Sequence, residues 1–170
     1  MSDFPLPEPW LRGTLTEIPA VPRAVLHALE LAQEDLTRWC ATLSDEQLNA
    51  RPAKIAPVAF HIRHIARSVE RLLTYAEGKD LSAEQLAALQ SEIEPGATSR
   101  DLFAELKATL AECATRISQI DPARLDEPRH VGKKQLPTTV GGLLVHIADH
   151  TQRHVGQAIT TAKIVTAART

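Results

Sequence analysis

In four separate stretches of this chain, mostly apolar residues recur at intervals of three and four, in strict alternation in the first three. Val25, Leu29, Ala32, Leu36, Trp39 and Leu43 make the first stripe, and Val58, Ile62, Ile65, Val69, Leu72 and Ala76 the second. Phe103, Leu106, Leu110, Cys113, Ile117 and Ile120 make the third, and Val140, Leu143, Ile147, Thr151, Val155, Ala158 and Ala162 the fourth. That period lays a single stripe along one side of a helix, and a stripe of this length needs another element to cover it. Local signals set the bounds. Pro22 opens the first predicted helix, which runs to Leu43, and Pro57 opens the second, which Gly78 stops after Ala76. The third is predicted over Arg100 to Ile120, ahead of Asp121-Pro122, and the fourth over Thr139 to Ala162, capped by Thr138 or Thr139. Each is roughly 20 residues and so roughly 30 Å long. Four such stripes bury one another in a four-helix bundle, so the expected fold class is all-α, with the up-and-down order left open by the pattern.

The connections are long. Ser44 with Gln47, and Ser82 with Gln85, have the spacing of capping boxes. They predict a short helical turn in SDEQLNA and a minor helix through Leu86 and Leu89 that Pro95-Gly96 ends. Pro122, Pro128, Pro137 and Gly132 make residues 123–137 a surface loop, and no sheet is expected. Pro5, Pro7, Pro9, Pro19 and Pro22 make residues 1–21 an extended arm lying on the body.

A length of 170 residues suits a single domain, 1–170, able to bury its own core. Aromatics at 4% with abundant Ala and Leu favour helix over sheet. A net charge of -2 carries no basic footprint for nucleic acid or a membrane surface. No apolar run approaches the roughly 18 residues of a membrane span, and no leader is evident, so the expected location is the cytoplasm. Cys40 and Cys113 stand at apolar helical positions without a CxxC, as core residues. Trp10 and Trp39 are expected to pack rather than to stack on a ligand.

The seven histidines are the unusual feature, because His61 and His64 fall together and so do His146, His150 and His154. At about 100° per residue from Ile147, His154 lies about 20° from the centre of the apolar face, His150 about 60° and His146 about 100°. His150 and His154 therefore face inward one turn apart, as two imidazoles sharing one metal ion require. A third ligand can come from FHIRHI. Helical angle favours His61, since His64 falls beside Arg67 and Arg71 on the polar side. Glu70 and Asp149 could orient imidazoles or act as a base, but each is read first as a solvated helix-face charge. His27 and His130 lie outside the cluster. Arg67, Arg71 and Arg153 could draw in an anionic substrate. A di-iron site is excluded, since it needs a Glu three residues before a histidine on each of two helices, and none of the five clustered histidines has one.

SDEQLNARP, AFHIRHIARSVERLL and GGLLVHIADHTQRHVGQ together resemble the DinB-like superfamily, including its YfiT-like members, over most of the chain. The resemblance implies a four-helix bundle holding a divalent metal through one histidine that precedes an apolar-Ala pair and two from an HxxxH. Here that pattern falls on His64, before Ile65-Ala66, and on His150 and His154, with Gly156-Gln157 matching the common tail. It therefore prefers His64 where the helical angle prefers His61. The implied ion is zinc or nickel, with iron or manganese as alternatives. Three neutral imidazoles leave an open position, the pattern of catalytic metal sites. Such a site can act as a Lewis acid, or acidify a coordinated water or thiol. Members resemble hydrolases or thiol S-transferases, so the expected partner is a small molecule, a low-molecular-weight thiol among the candidates, and a homodimer suits a bundle this small. The rival is a non-catalytic metal-binding or stress-related bundle. Because imidazoles bind metal only when neutral, affinity is expected to fall as pH drops through roughly 6.5 toward 5.

Overall fold

Among the described residues the six α-helices lie where local sequence chemistry puts a helix or its cap, and the two strands do not. The computed structural model describes residues 6–167, in which α1 spans Ala20–Cys40, α2 Asp45–Asn49, α3 Val58–Ala76, α4 Ala83–Gln90 and α5 Ser99–Ser118. Two short strands follow, β1 at Pro128–Val131 and β2 at Leu136–Thr139, and then α6 at Val140–Ala167. Both capping boxes are formed: Ser44 Oγ accepts from the Gln47 amide and Ser82 Oγ from the Gln85 amide, with each glutamine side chain accepting in return. The Ser44 box is also why α1 stops at Cys40 rather than Leu43. Ala20 rather than Pro22 starts α1, because a proline in the first turn lacks only an N–H that would have no helical partner. Thr139 caps α6 by accepting from Gly142 N at 3.0 Å. Glycine is needed there, since a Cβ would meet Thr138 Oγ1 at 2.7 Å.

The four long helices form a ring of contacts. α6 packs against both α1 and α3, and α5 packs against the same two from the other side. Leu36, Ile62, Ile65, Leu73, Leu106, Ile117, Leu144 and Ile147 are fully buried where the four stripes meet. Trp39 departs from its predicted inward place. It is 40% exposed beneath Lys163 Nζ, 4.5 Å from the ring centroid, while Cys40 takes the inner position at 0%. Trp10 is also exposed, bonded to Glu8, so neither tryptophan is a core residue.

Two further expectations need correction. Residues 123–137 are not a plain loop, because β1 and β2 pair antiparallel with His130 opposite Pro137 and Val131 opposite Leu136. Four-residue strands that each contain a proline leave no alternation long enough to see in sequence. Arg129 ties this hairpin to the end of α3, donating to the free carbonyl of Ala76 at 2.8 Å. The N-terminal arm is not extended throughout. Pro9–Leu11 form a single 3-10 turn, and Arg12 then fixes the arm to α1 through Glu30 and Glu34; the first five residues lie outside the described range. Among the described residues no helix is long and apolar enough to cross a membrane.

Candidate metal centre

The seam between α3 and α6 brings the two histidine groups together. One ring nitrogen from each of His64, His150 and His154 lies within 4.8 Å of the other two. His64 Nε2 is 3.3 Å from His150 Nε2, and the His64 and His154 ring centroids are 4.4 Å apart. His61 is the most buried of the group at 5% exposure, as its helical angle implies, yet it stands behind the three, with Nδ1 3.0 Å from Nδ1 of His154. His146 sits at the edge, with Nδ1 3.4 Å from Asp149 Oδ2. Asp149 is exposed and also holds Arg153, the solvated role expected of it. Glu70 bonds Gln85, His130 is exposed on β1, and His27 is buried beside Thr14 at 3.2 Å.

The flank of α3 that carries His64 is not a solvent face. Arg63 donates to the carbonyls of Ser91, Glu92 and Glu94, and Arg67 to Ala88 O, Ser91 Oγ and Glu105. These bonds pin the segment between α4 and α5 over the helix. Glu92, which sequence reasoning missed, is thereby lowered into the interior at 4% exposure, where Oε1 accepts from Arg71 at 2.5 Å and Oε2 meets His64 Nδ1 at 2.6 Å. Arg71 is itself buried, contrary to the polar-side expectation. No spacing signals Glu92, since it lies in an irregular segment 28 residues from His64. Arg67 and Arg71 are thus committed to internal partners, leaving Arg153 as the exposed cation of the three.

These bonds set the protons. Burial alone would raise the Glu92 carboxyl, but the bonds from His64 and Arg71 outweigh it and hold the group below the ordinary carboxylate range. An ionised Glu92 accepts from Nδ1–H of His64, and in the neutral ring that a metal requires this turns a lone pair on Nε2 toward the cluster. The Ser68 hydroxyl donates to Ile65 O at 3.2 Å and can only accept, across a long 3.5 Å, from Nδ1–H of His150. That leaves a second Nε2 lone pair facing the first at 3.3 Å. Two lone pairs so placed repel unless a cation lies between them. The separation equals the edge of a tetrahedron whose metal–nitrogen bonds are about 2.0 Å, so the residues present fit a divalent ion such as zinc. Burial, then the neighbouring imidazoles, push His150 and His154 down to about 4, and burial with His64 does the same to His61. These rings are neutral, as ligands must be, well below pH 6.5.

Beside the cluster an open cleft of about 610 Å³ runs between α6 and the segment before α3, with Ile55, Ala56, His61, Arg153, Gln157 and Thr160 among its walls. Ala53 and Lys54, leading into that wall, are both held at positive φ, 48° and 66°. Two successive non-glycine residues in the left-handed region cost energy that the surrounding packing must supply.

Glu92→Ala is expected to weaken zinc binding about 10- to 100-fold, the usual cost of losing a group that orients a ligand. It should also cost about 3–5 kcal/mol of stability, because Arg71 is left as an unpaired buried charge. Competition titration against a chelator and urea unfolding read the two effects separately. A variant with wild-type affinity would show that Glu92 serves folding alone.

Comparison with known proteins bears on the fold and the family. A crystal structure described as the conserved protein of locus from Enterococcus faecalis superposes with a TM-score of 0.72, covering 88% of this chain and 99% of that one at 21% identity. At that identity the likeness speaks for the fold alone. No curated protein matches the sequence. Residues 28–158, which include all five clustered histidines and Glu92, match the DinB superfamily, and this chain belongs to that superfamily.

Proposed function

We propose that this protein is a metal-dependent enzyme acting on a small molecule, with His64, His150 and His154 as the ligands of one divalent ion in a four-helix bundle. The observation that supports it is the pair of Nε2 atoms 3.3 Å apart, beside a third imidazole and an open cleft. A divalent ion with three neutral nitrogen ligands and a vacant position supplies Lewis acidity, suited to hydrolysis or to thiol S-transfer. The chain's own residues supply the rest. Glu92 holds His64 in the ligating tautomer, Ser68 does so for His150, and His61 for His154. The cleft brings a small molecule as far as His61, the residue behind His154.

Metal analysis of protein purified without a histidine tag tests the reading, with one divalent ion per chain expected. Cobalt-loaded protein should then gain a sulfur-to-metal absorption band when a low-molecular-weight thiol such as cysteine is added. Protein that holds no ion after exposure to zinc, nickel or cobalt would overturn the proposal. A loaded site whose cobalt spectrum ignores thiols would favour hydrolysis over S-transfer.

A further inference from the structure

Resting on the ligand set just proposed, we infer that the cleft beside the cluster binds an organic carboxylate, recognised by Nε2–H of His61 together with the guanidinium of Arg153. His61 is 5% exposed, and its Nδ1 is engaged by His154. Its Nε2 has no hydrogen-bond partner among the described residues. Nor is that atom sealed inside, since Thr151 Oγ1 is the single fully buried side-chain polar atom among them left without a partner. His61 lines the cleft, so Nε2 is presented there.

The direction of the hydrogen bonds then selects the ligand. A ligating His154 offers its Nε2 lone pair to the ion and must carry its proton on Nδ1. It donates that proton to His61 Nδ1, which places the His61 proton on Nε2. His61 is therefore a donor toward the cleft, and what it recognises must be an acceptor. Arg153 adds positive charge at the rim, although Asp149 already takes one of its N–H groups at 2.8 Å. Ile55 and Ala56 give an apolar wall for the body of the ligand, and its roughly 610 Å³ is an ordinary volume for a small-molecule site. The space beside Gly156 is open, because a Cβ built there meets nothing within 4 Å. The inferred ligand is a small acid with an apolar body. His61 binds it at one ring nitrogen and orients a metal ligand with the other.

Benzoate is a probe of that chemistry, and for a molecule of so few atoms a dissociation constant in about the millimolar range is expected. Ring-nitrogen NMR and calorimetry on zinc-loaded and metal-free protein should show benzoate shifting the His61 Nε2 resonance. His61→Phe and Arg153→Ala should each weaken it about fivefold or more. Gly156→Leu, which improves helix propensity and fills the cleft, should abolish benzoate binding while leaving zinc affinity intact. Zinc affinity is measured separately by chelator competition, so loss of the metal reading and loss of the carboxylate reading give different results. Three outcomes would overturn the inference: no benzoate binding at about ten times the millimolar range, binding that ignores all three substitutions, or binding that needs zinc and ignores Arg153→Ala.

Discussion

Single replacement of His64, His150 or His154 by alanine is expected to abolish tight divalent-metal binding, whereas His146→Ala should leave it unchanged. The reason is the geometry of the cluster. Each of the three contributes one of the nitrogens gathered within 4.8 Å, and a site cut to two imidazoles has lost a third of its protein bonds. His146 points to the bundle edge, 45% exposed, and pairs with Asp149 instead. His61→Ala separates two readings of α3. Standing behind His154 at 3.0 Å, His61 should behave as an orienting partner, so its loss is expected to cost about 10- to 100-fold in affinity. Competition titration of all five variants against a chelator distinguishes these classes. If His61→Ala removed the metal while His64→Ala spared it, the assignment on α3 would be reversed. If all five kept it, the cluster would not be a metal site.

What could be seen in advance divides along the periodicity of the helices. The four apolar stripes apart from Trp39, the two serine capping boxes and the meeting of His150 with His154 on one helix face are local patterns, and each is found in the structure. Choosing between His61 and His64 was a different problem. Helical angle ranks burial, and it ranked His61 correctly as the deeper residue. But the cluster lies at the flank of the α3–α6 seam, where a partly exposed His64 reaches across and a buried His61 stops one ring short. That flank looked polar because Arg63, Arg67 and Arg71 stand on it. In the folded chain those arginines are the clamp that brings Glu92 down onto His64. Contacts between a helix face and an irregular segment leave no period, so neither Glu92 nor the short β1–β2 hairpin was legible from the residues.

Metal-free protein is expected to lose on the order of 5 kcal/mol of stability between pH 7 and pH 5. Three rings in the folded state, His61, His150 and His154, are pushed down to about 4, whereas in the unfolded chain they titrate near the ordinary 6.5. Protons therefore bind the unfolded chain first. The stabilisation from keeping these rings neutral is fully present above pH 6.5, declines as pH falls, and is gone once pH passes through about 4. At about 1.4 kcal/mol per pH unit, one ring accounts for about 2 kcal/mol by pH 5, and three such losses rival the whole stability of an ordinary domain. The same depression revises the expected pH dependence of metal binding. As far as His150 and His154 are concerned, protons compete with the ion near pH 4 rather than between 6.5 and 5. Acid unfolding, rather than protonation of these two rings in the folded site, should release the metal first. Urea unfolding in the presence of a chelator at pH 7, 6 and 5 measures the slope. His61→Phe, which removes one depressed ring, should make that slope shallower by about a third. Excess zinc should flatten it further by binding only the folded chain. Stability that stays level from pH 7 to 5 without metal would show that the rings are not held neutral by burial and by one another, and would remove the ground for treating His150 and His154 as preformed ligands.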